Sequence, residues 1–273
     1  MKVRFWDKGV VSIFARLESL FLTCFSIAAI FIPFDKYTKK WALFSLFFIS
    51  ICLYFAVVLF ANKTKIVKIR IRNTRVVIKE GDLFKEHGKK VVPCNDLFST
   101  QVDDIIVAKG SIHGQFILNC VLDIDKLKAA IKEQAIKRHI KILIDQEKEP
   151  NDQIRFNVGT IIPFEEYLLL AYSKFDNENK ASLKGDSFSK CYTSLWKEID
   201  KFRAAESICL PVLGAGGIVR FDQNYSAQQL LEMMLWSFRI SGVNLARQAT
   251  LTIVVHKSTS PEINFWRLKS FSN

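Results

Sequence analysis

The chain reads as an α/β sheet with helices on its faces, preceded by a pair of membrane-spanning helices. Three observations predict this. Two long apolar runs precede residue 62, strands alternate with amphipathic helices after residue 65, and a glycine-rich loop follows an apolar strand at 208–213. The expected organisation is a helical hairpin at 1–62 and an α/β domain at 63–273.

Of the 273 residues 49% are hydrophobic and 24% charged, so the apolar excess must be concentrated, and it lies near the N-terminus. The formal charge of +12 raises nucleic acid as a partner. Yet the basic residues are dispersed and cluster mainly at 63–75, just behind an apolar run, which fits a phospholipid surface and gives no reason to expect nucleic acid. The six cysteines form no CxxC pair and, with the four histidines, no zinc-site spacing. They are read as reduced thiols in a cytosolic setting, and neither metal nor cofactor is expected.

Residues 1–9 are short and basic and carry Phe5 and Trp6, as at a headgroup boundary. The first span is placed at 10–32. Its uncharged part is too short for a bilayer that needs roughly 20 residues of helix, so it suffices only with Arg16 snorkelling or paired with Glu18. A cleaved signal peptide is the rival reading, opposed by the missing small-residue cleavage pattern and by the second run that follows. That second span, 41–61, holds no charge, opens with Trp41 and carries Tyr54. A polar turn with Pro33 joins the two. Lys63, Lys65, Lys68, Arg70, Arg72 and Arg75 outweigh Lys36, Lys39 and Lys40, which puts both termini and the α/β domain in the cytoplasm.

Strands then begin. KIVKIRIR alternates Val67, Ile69 and Ile71 with basic residues, RVVIKEGDLF ends a second strand at Gly81 and Asp82, and GKKVVPCNDLF leads a third into Asn95. The segment 99–116 reads as a loop gathering Gly110, Ser111, His113 and Gly114, where His113 is either an exposed loop residue or a ligand contact. A helix is expected over 121–142, with Leu122, Leu127, Ala130, Ile131, Ala135 and Ile136 as its apolar stripe. A solvated loop at 145–153, strands at IRFNVGTII and EEYLLLAYSKF, and a loop at 177–187 follow. A helix then places Phe188, Cys191, Leu195, Trp196 and Ile199 on one face.

Ile208, Leu210, Val212 and Leu213 read as a buried strand, followed at once by Gly214, Gly216 and Gly217. Glycines reach backbone angles barred to other residues, so their N–H groups can converge on an anion; they can equally just close a tight turn. After them come a helix capped by Ser226 and closing strands at ATLTIVVHK and INFWRL. In such sheets ligands settle beyond the carboxyl ends of strands, where the loops after 79, 95 and 213 fall. GAGGIV does not complete GxGxxG, since Val219 takes the third glycine's place, and no phosphate-loop lysine follows. No GxSxG elbow occurs, and His139 and His256 sit on apolar-patterned segments.

With these pieces in order, residues 75–270 resemble a macro domain, the three-layer α/β/α module that binds ADP-ribose and related nucleotides. Gly81-Asp82 looks like the family's Gly-Asp, VVPCN like its VNAAN, KGSIHG stands at its first phosphate loop and GAGGI at its second. The resemblance implies that Asp82 accepts from the adenine amino group and that Asn95 faces the distal ribose with Gly110, Ser111, His113, Gly114 and Gln115. It gives the diphosphate to Gly214, Ala215, Gly216, Gly217 and Ile218. Val92 stands where the family has the asparagine associated with hydrolysis, so binding without enzymatic activity is expected. A membrane-tethered ADP-ribosyl hydrolase is the alternative.

The macro variant behind a membrane hairpin is similar to the transmembrane-macro ThsA effectors of type II Thoeris anti-phage defence. That family implies an inner-membrane, multi-pass sensor of a histidine-ADP-ribose type signal made by a TIR-domain partner. Binding would drive homo-oligomeric assembly, disruption of the lipid bilayer and abortive infection.

Overall fold

The computed structural model describes residues 3, 5–31, 35–139, 154–175, 180–202, 206–245 and 248–272. The loop expected at 145–153 lies outside the described residues. Packing divides the chain into two units, Met1–Val67 with Asn264–Ser270 and Lys68–Ile263 with Phe271–Asn273.

The first unit holds helices α1 (Lys8–Phe31) and α2 (Lys36–Lys63), each long and apolar enough to cross a membrane. Asp35 caps α2 by accepting from the Thr38 amide at 2.7 Å, and the Thr38 hydroxyl and amide together hold its carboxyl below the usual range. Glu18 meets Ser50 Oγ on the other helix. Its partner is therefore not Arg16, because residues two apart on a helix point to different faces. Val10, Val57, Val58 and Ala61 pack with Trp266, so 264–270 belongs to this unit. Phe44, Phe47 and Phe60 face outward, as on helices whose solvent is lipid.

The second unit is a mixed sheet. Its strands are β1 (Ile66–Ile71), β2 (Thr74–Glu80), β3 (Lys89–Asn95), β4 (Ile161–Phe164), β5 (Tyr167–Phe175), β6 (Ala181–Ser182), β7 (Ile208–Pro211) and β8 (Thr250–Val255). They run in the order β1-β2-β8-β7-β3-β5-β4, with β6 paired to β5. The pairs β2/β8, β8/β7, β7/β3 and β3/β5 are parallel, so five strands end on one edge of the sheet. Strand β4 returns antiparallel on β5.

The sheet lies between two helical layers. On one face α3 (Ile112–Asn119) and α4 (Ile124–Lys137) bury Phe116, Leu127 and Ile131 against Val92, Cys94, Leu169 and Ala171. On the other, α5 (Asp186–Phe202) and α6 (Ala227–Ser241) pack together, with Trp196 fully buried and its indole donating to Ser237 Oγ at 2.8 Å. Truncating such a tryptophan costs about 3–5 kcal/mol. Ser226 and Gln229 form a reciprocal capping box on α6, and Gly242 ends it at φ 75°.

Four details depart from expectation. Helix α3 occupies part of the segment read as a loop. Helix α4 starts only at Ile124, because Asp123 caps its first amides, so Leu122 falls outside it and is exposed; Ile136 lies within α4 but off its buried face of Leu127, Ile131 and Ala135. Residues 154–157 carry no strand, which begins at Ile161. INFWRL is not a strand but connects short 3-10 turns at Ser260–Glu262 and Arg267–Phe271. Adjacent Phe265 and Trp266 are both buried, which the period-two alternation of a one-sided strand does not allow.

Candidate functional site

A cavity of about 340 Å³ opens beyond the carboxyl ends of β2, β8, β7, β3 and β5, the position α/β sheets use for ligands. Its volume suits a nucleotide-sized molecule, and each side is built by the loop that follows one strand.

At the β2 end, Asp82 Oδ1 accepts the Phe84 amide at 3.0 Å and caps the 3-10 turn Leu83–Lys85. The bond fixes the carboxylate at the rim, where its residue is exposed. At the β3 end Asn95 is buried. Its Oδ1 accepts Ser99 N and its Nδ2 donates to Ser99 Oγ, both at 3.0 Å, so the amide is already oriented.

The wall next to Asn95 is the start of α3. Ser111 caps the helix by accepting the Gly114 amide at 2.9 Å, and Gln115 Nε2 donates to Gly110 O at 3.1 Å. Gly114 is required here, since a Cβ would stand 2.3 Å from the Ala108 carbonyl oxygen. His113 is buried, which lowers its pKa to about 4 and leaves a neutral imidazole in the cavity wall at ordinary pH.

The loop after β7 forms the opposite lip. Gly214 and Gly217 have φ of 82° and 72°, angles that side chains rarely adopt, whereas Gly216 is open with nothing near its missing Cβ. Gly214 also sits tightly: a Cβ would lie 2.5 Å from Phe221 Cζ and 2.8 Å from the Tyr172 hydroxyl. Behind it Phe188, Phe221 and Tyr225 pack ring against ring.

Of the expected site residues, Asp82, Asn95, Gly110, Ser111, His113, Gln115, Gly214, Ala215, Gly216 and Ile218 line one cavity. Gly114 and Gly217 shape its loops without lining it. Sequence reasoning missed Tyr172, Ser173 and Phe175 at the β5 end, and His256, Ser258 and Thr259 after β8. Register explains Tyr172. Cys94 pairs with Ala171 but Asn95 pairs with Ser173, so Tyr172 is the residue skipped at a bulge, a device that re-aims a side chain beside a site. Its hydroxyl and that of neighbouring Tyr192 are buried side by side, and neither makes a well-aligned hydrogen bond among the described residues. Burial raises the pKa of both phenols, so they stay protonated.

The electrostatics are unusual for an anion site. Among the described lining residues Asp82 is the one formally charged side chain, and neither lysine nor arginine contributes. Any phosphate must therefore be held by backbone N–H groups and neutral donors. No cluster of three metal-ligating side chains occurs among the described residues.

The family described as Thoeris protein ThsA, Macro domain, matches residues 76–256. The chain is also 32% identical over 231 residues to the Thoeris protein ThsA of Bacillus amyloliquefaciens (strain Y2), covering 82% of this chain and 75% of that one. This chain belongs to the ThsA family. The ThsA macro segment runs from within β2 to the residue after β8 and so contains every loop of the cavity except the turn that follows His256. A macrodomain variant from Oceanobacillus iheyensis superposes with a TM-score of 0.50 at 12% identity, over 76% of this chain and 96% of that one. At that identity the likeness establishes the ThsA unit as a macro fold and nothing finer.

Proposed function

We propose that the chain is a membrane-anchored Thoeris defence sensor whose macro domain binds an ADP-ribose-derived dinucleotide without turning it over. The observation that carries this is the single cavity that gathers Asp82, Asn95, the α3 start and the Gly214–Ile218 lip. In this reading Asp82 accepts from the adenine amino group with the oxygen its cap leaves over. The glycine lip turns backbone N–H groups to the diphosphate, and Asn95 with the 110–115 segment receives the distal ribose and its substituent. The ligand in this reading is a histidine-ADP-ribose type signal made by a TIR-domain partner.

The two apolar helices would anchor the chain in the inner membrane with both termini in the cytoplasm, as the basic residues after α2 favour. The signal can drive homo-oligomeric assembly, and through it membrane disruption and abortive infection, only if it binds the assembled state better than the dispersed one. Val92, an apolar residue on β3, supports binding over hydrolysis, because it can neither orient nor activate a water.

The test is calorimetry of the full chain in lipid nanodiscs with ADP-ribose and its histidine conjugate, followed by product analysis. Binding of the conjugate with no product supports the proposal. Release of free ADP-ribose from a modified protein would move the assignment to a hydrolase, and failure of both ligands to bind would remove it.

A further inference from the structure

One surface of the α/β unit lies outside the cavity and has the composition of a bilayer contact. On α6, Trp236 is 50% and Ile240 79% exposed, and the Arg239 guanidinium lies 5.7 Å above the Trp236 ring. Phe271 packs edge-on to Trp236 at 5.3 Å, and its neighbour Ser272 accepts the Arg70 amide at 3.4 Å. At the end of α6, the position of a Cβ on Gly242 is 3.4 Å from Arg72 Nη1. These contacts join the α6 end to strand β1, whose outward face carries exposed Lys68 and Arg70 and whose closing turn carries Arg72. The result is a half-exposed tryptophan and an exposed isoleucine rimmed by cations.

Connectivity and charge select the occupant. Thr64 and Lys65 alone separate α2 from β1, a reach of at most about 11 Å from Lys63 to Ile66, so β1 starts near the end of a helix read as crossing the bilayer. The chain re-enters the α/β unit at Phe271, on the same patch, directly from the 264–270 segment that packs on α2. Tryptophan and arginine are the side chains that settle at the headgroup level, one for its amphipathic ring and the other for bidentate phosphate contacts. A second copy of the chain is a poor occupant, because a two-fold contact would set the Lys68, Arg70 and Arg72 row against itself.

We propose that this patch is a lipid-contact surface. Trp236 and Ile240 enter the headgroup layer of an anionic membrane while Lys68, Arg70 and Arg72 meet its phosphates. The inference rests on the hairpin being membrane-inserted, and its test separates the two.

The full chain is reconstituted in phosphatidylserine nanodiscs with a photoreactive benzophenone amino acid in place of Ile240 or, as a control, of fully exposed Leu122. The control position precedes α4, which packs on β4 at the far edge of the sheet. The expected result is a lipid adduct at 240 at least tenfold above that at 122, falling at least threefold in phosphatidylcholine discs and in the Arg70→Glu, Arg72→Glu double variant. Equal adducts at both positions, or a cross-link to a second copy at 240, overturns the surface while the hairpin reading stands. A chain that carbonate strips from liposomes overturns both.

Discussion

The Tyr172 hydroxyl stands 2.8 Å from where a Cβ of Gly214 would be, and it is buried beside the Tyr192 hydroxyl without a well-aligned hydrogen bond among the described residues. An orphaned buried hydroxyl is a cost, about 1–3 kcal/mol, that the empty protein carries. Tyr172 also lines the cavity, so a diphosphate seated on the glycine lip would offer this hydroxyl an acceptor. Tyr172→Phe is therefore expected to leave the melting temperature of the empty protein unchanged or raised while weakening ADP-ribose about 3- to 20-fold. Thermal melts paired with calorimetry check this; equal affinities in the two proteins would contradict it.

The glycines of the lip should separate by role. Gly214→Ala combines a positive φ with contacts of 2.5 and 2.8 Å, so it should destabilise the fold by about 1–3 kcal/mol and abolish binding. Gly216→Ala meets open space at ordinary φ, so it should melt like the parent and lose affinity only by keeping a phosphate at a distance. Denaturant midpoints and ligand titrations on both variants distinguish these outcomes.

His113 gives the fold a pH dependence of definite sign. Its folded pKa of about 4 lies below the ordinary 6.5, so between those values the unfolded chain binds a proton that the native state refuses. Stability should be constant from this source above pH 6.5 and fall as pH drops toward 4, by on the order of 3 kcal/mol in all. Urea midpoints measured from pH 7.5 to 4.5 should fall more steeply for the parent than for His113→Gln.

Asp82→Asn keeps the oxygen that caps Phe84 but removes the charge. Stability should hold within about 0.5 kcal/mol, and affinity for adenine-bearing ligands should fall about 5- to 20-fold. Ribose 5-phosphate, which has no adenine, should bind parent and variant alike.

Asn95→Ala deletes both bonds to Ser99 and should cost about 1–2 kcal/mol as well as ligand affinity. Parent and variant alike are expected to release no ADP-ribose from a modified protein above the buffer rate, measured by chromatography.

Much of this site could be read from the chain because its loops follow strands that stop abruptly. The apolar residues ending at Glu80, Asn95 and Pro211 are each succeeded by Gly-Asp, a polar turn or glycines, and these changes survive in any packing. Tyr172 was illegible for the opposite reason. Residues 167–173 are all buried, so no alternation tells one face of β5 from the other, and the bulge that turns Tyr172 arises only on pairing with β3. The 256–259 turn reached the cavity through the sheet order β2-β8-β7, which alternation of strands and helices does not fix. Helix α3 hid because a histidine and a glycine follow its first residue in only eight, and the single Ser111 cap was its main signal. The Trp266 docking on α2 joins positions some 200 residues apart, a contact that no local pattern carries.

The cavity lined without lysine or arginine decides what the protein can ignore. A cell holds ATP and other polyphosphates far above the level of any alarm molecule, and a receptor built on paired arginines would be occupied by them at all times. Here every phosphate beyond those the glycine lip can surround would lose its water with no cation to replace it, a penalty that grows with each added charge. The net +12 charge still draws anions toward the protein from a distance, while the cation-free lining turns most of them away at the door. Quiet in the uninfected cell would then be a property of the binding site, secured by what its walls lack.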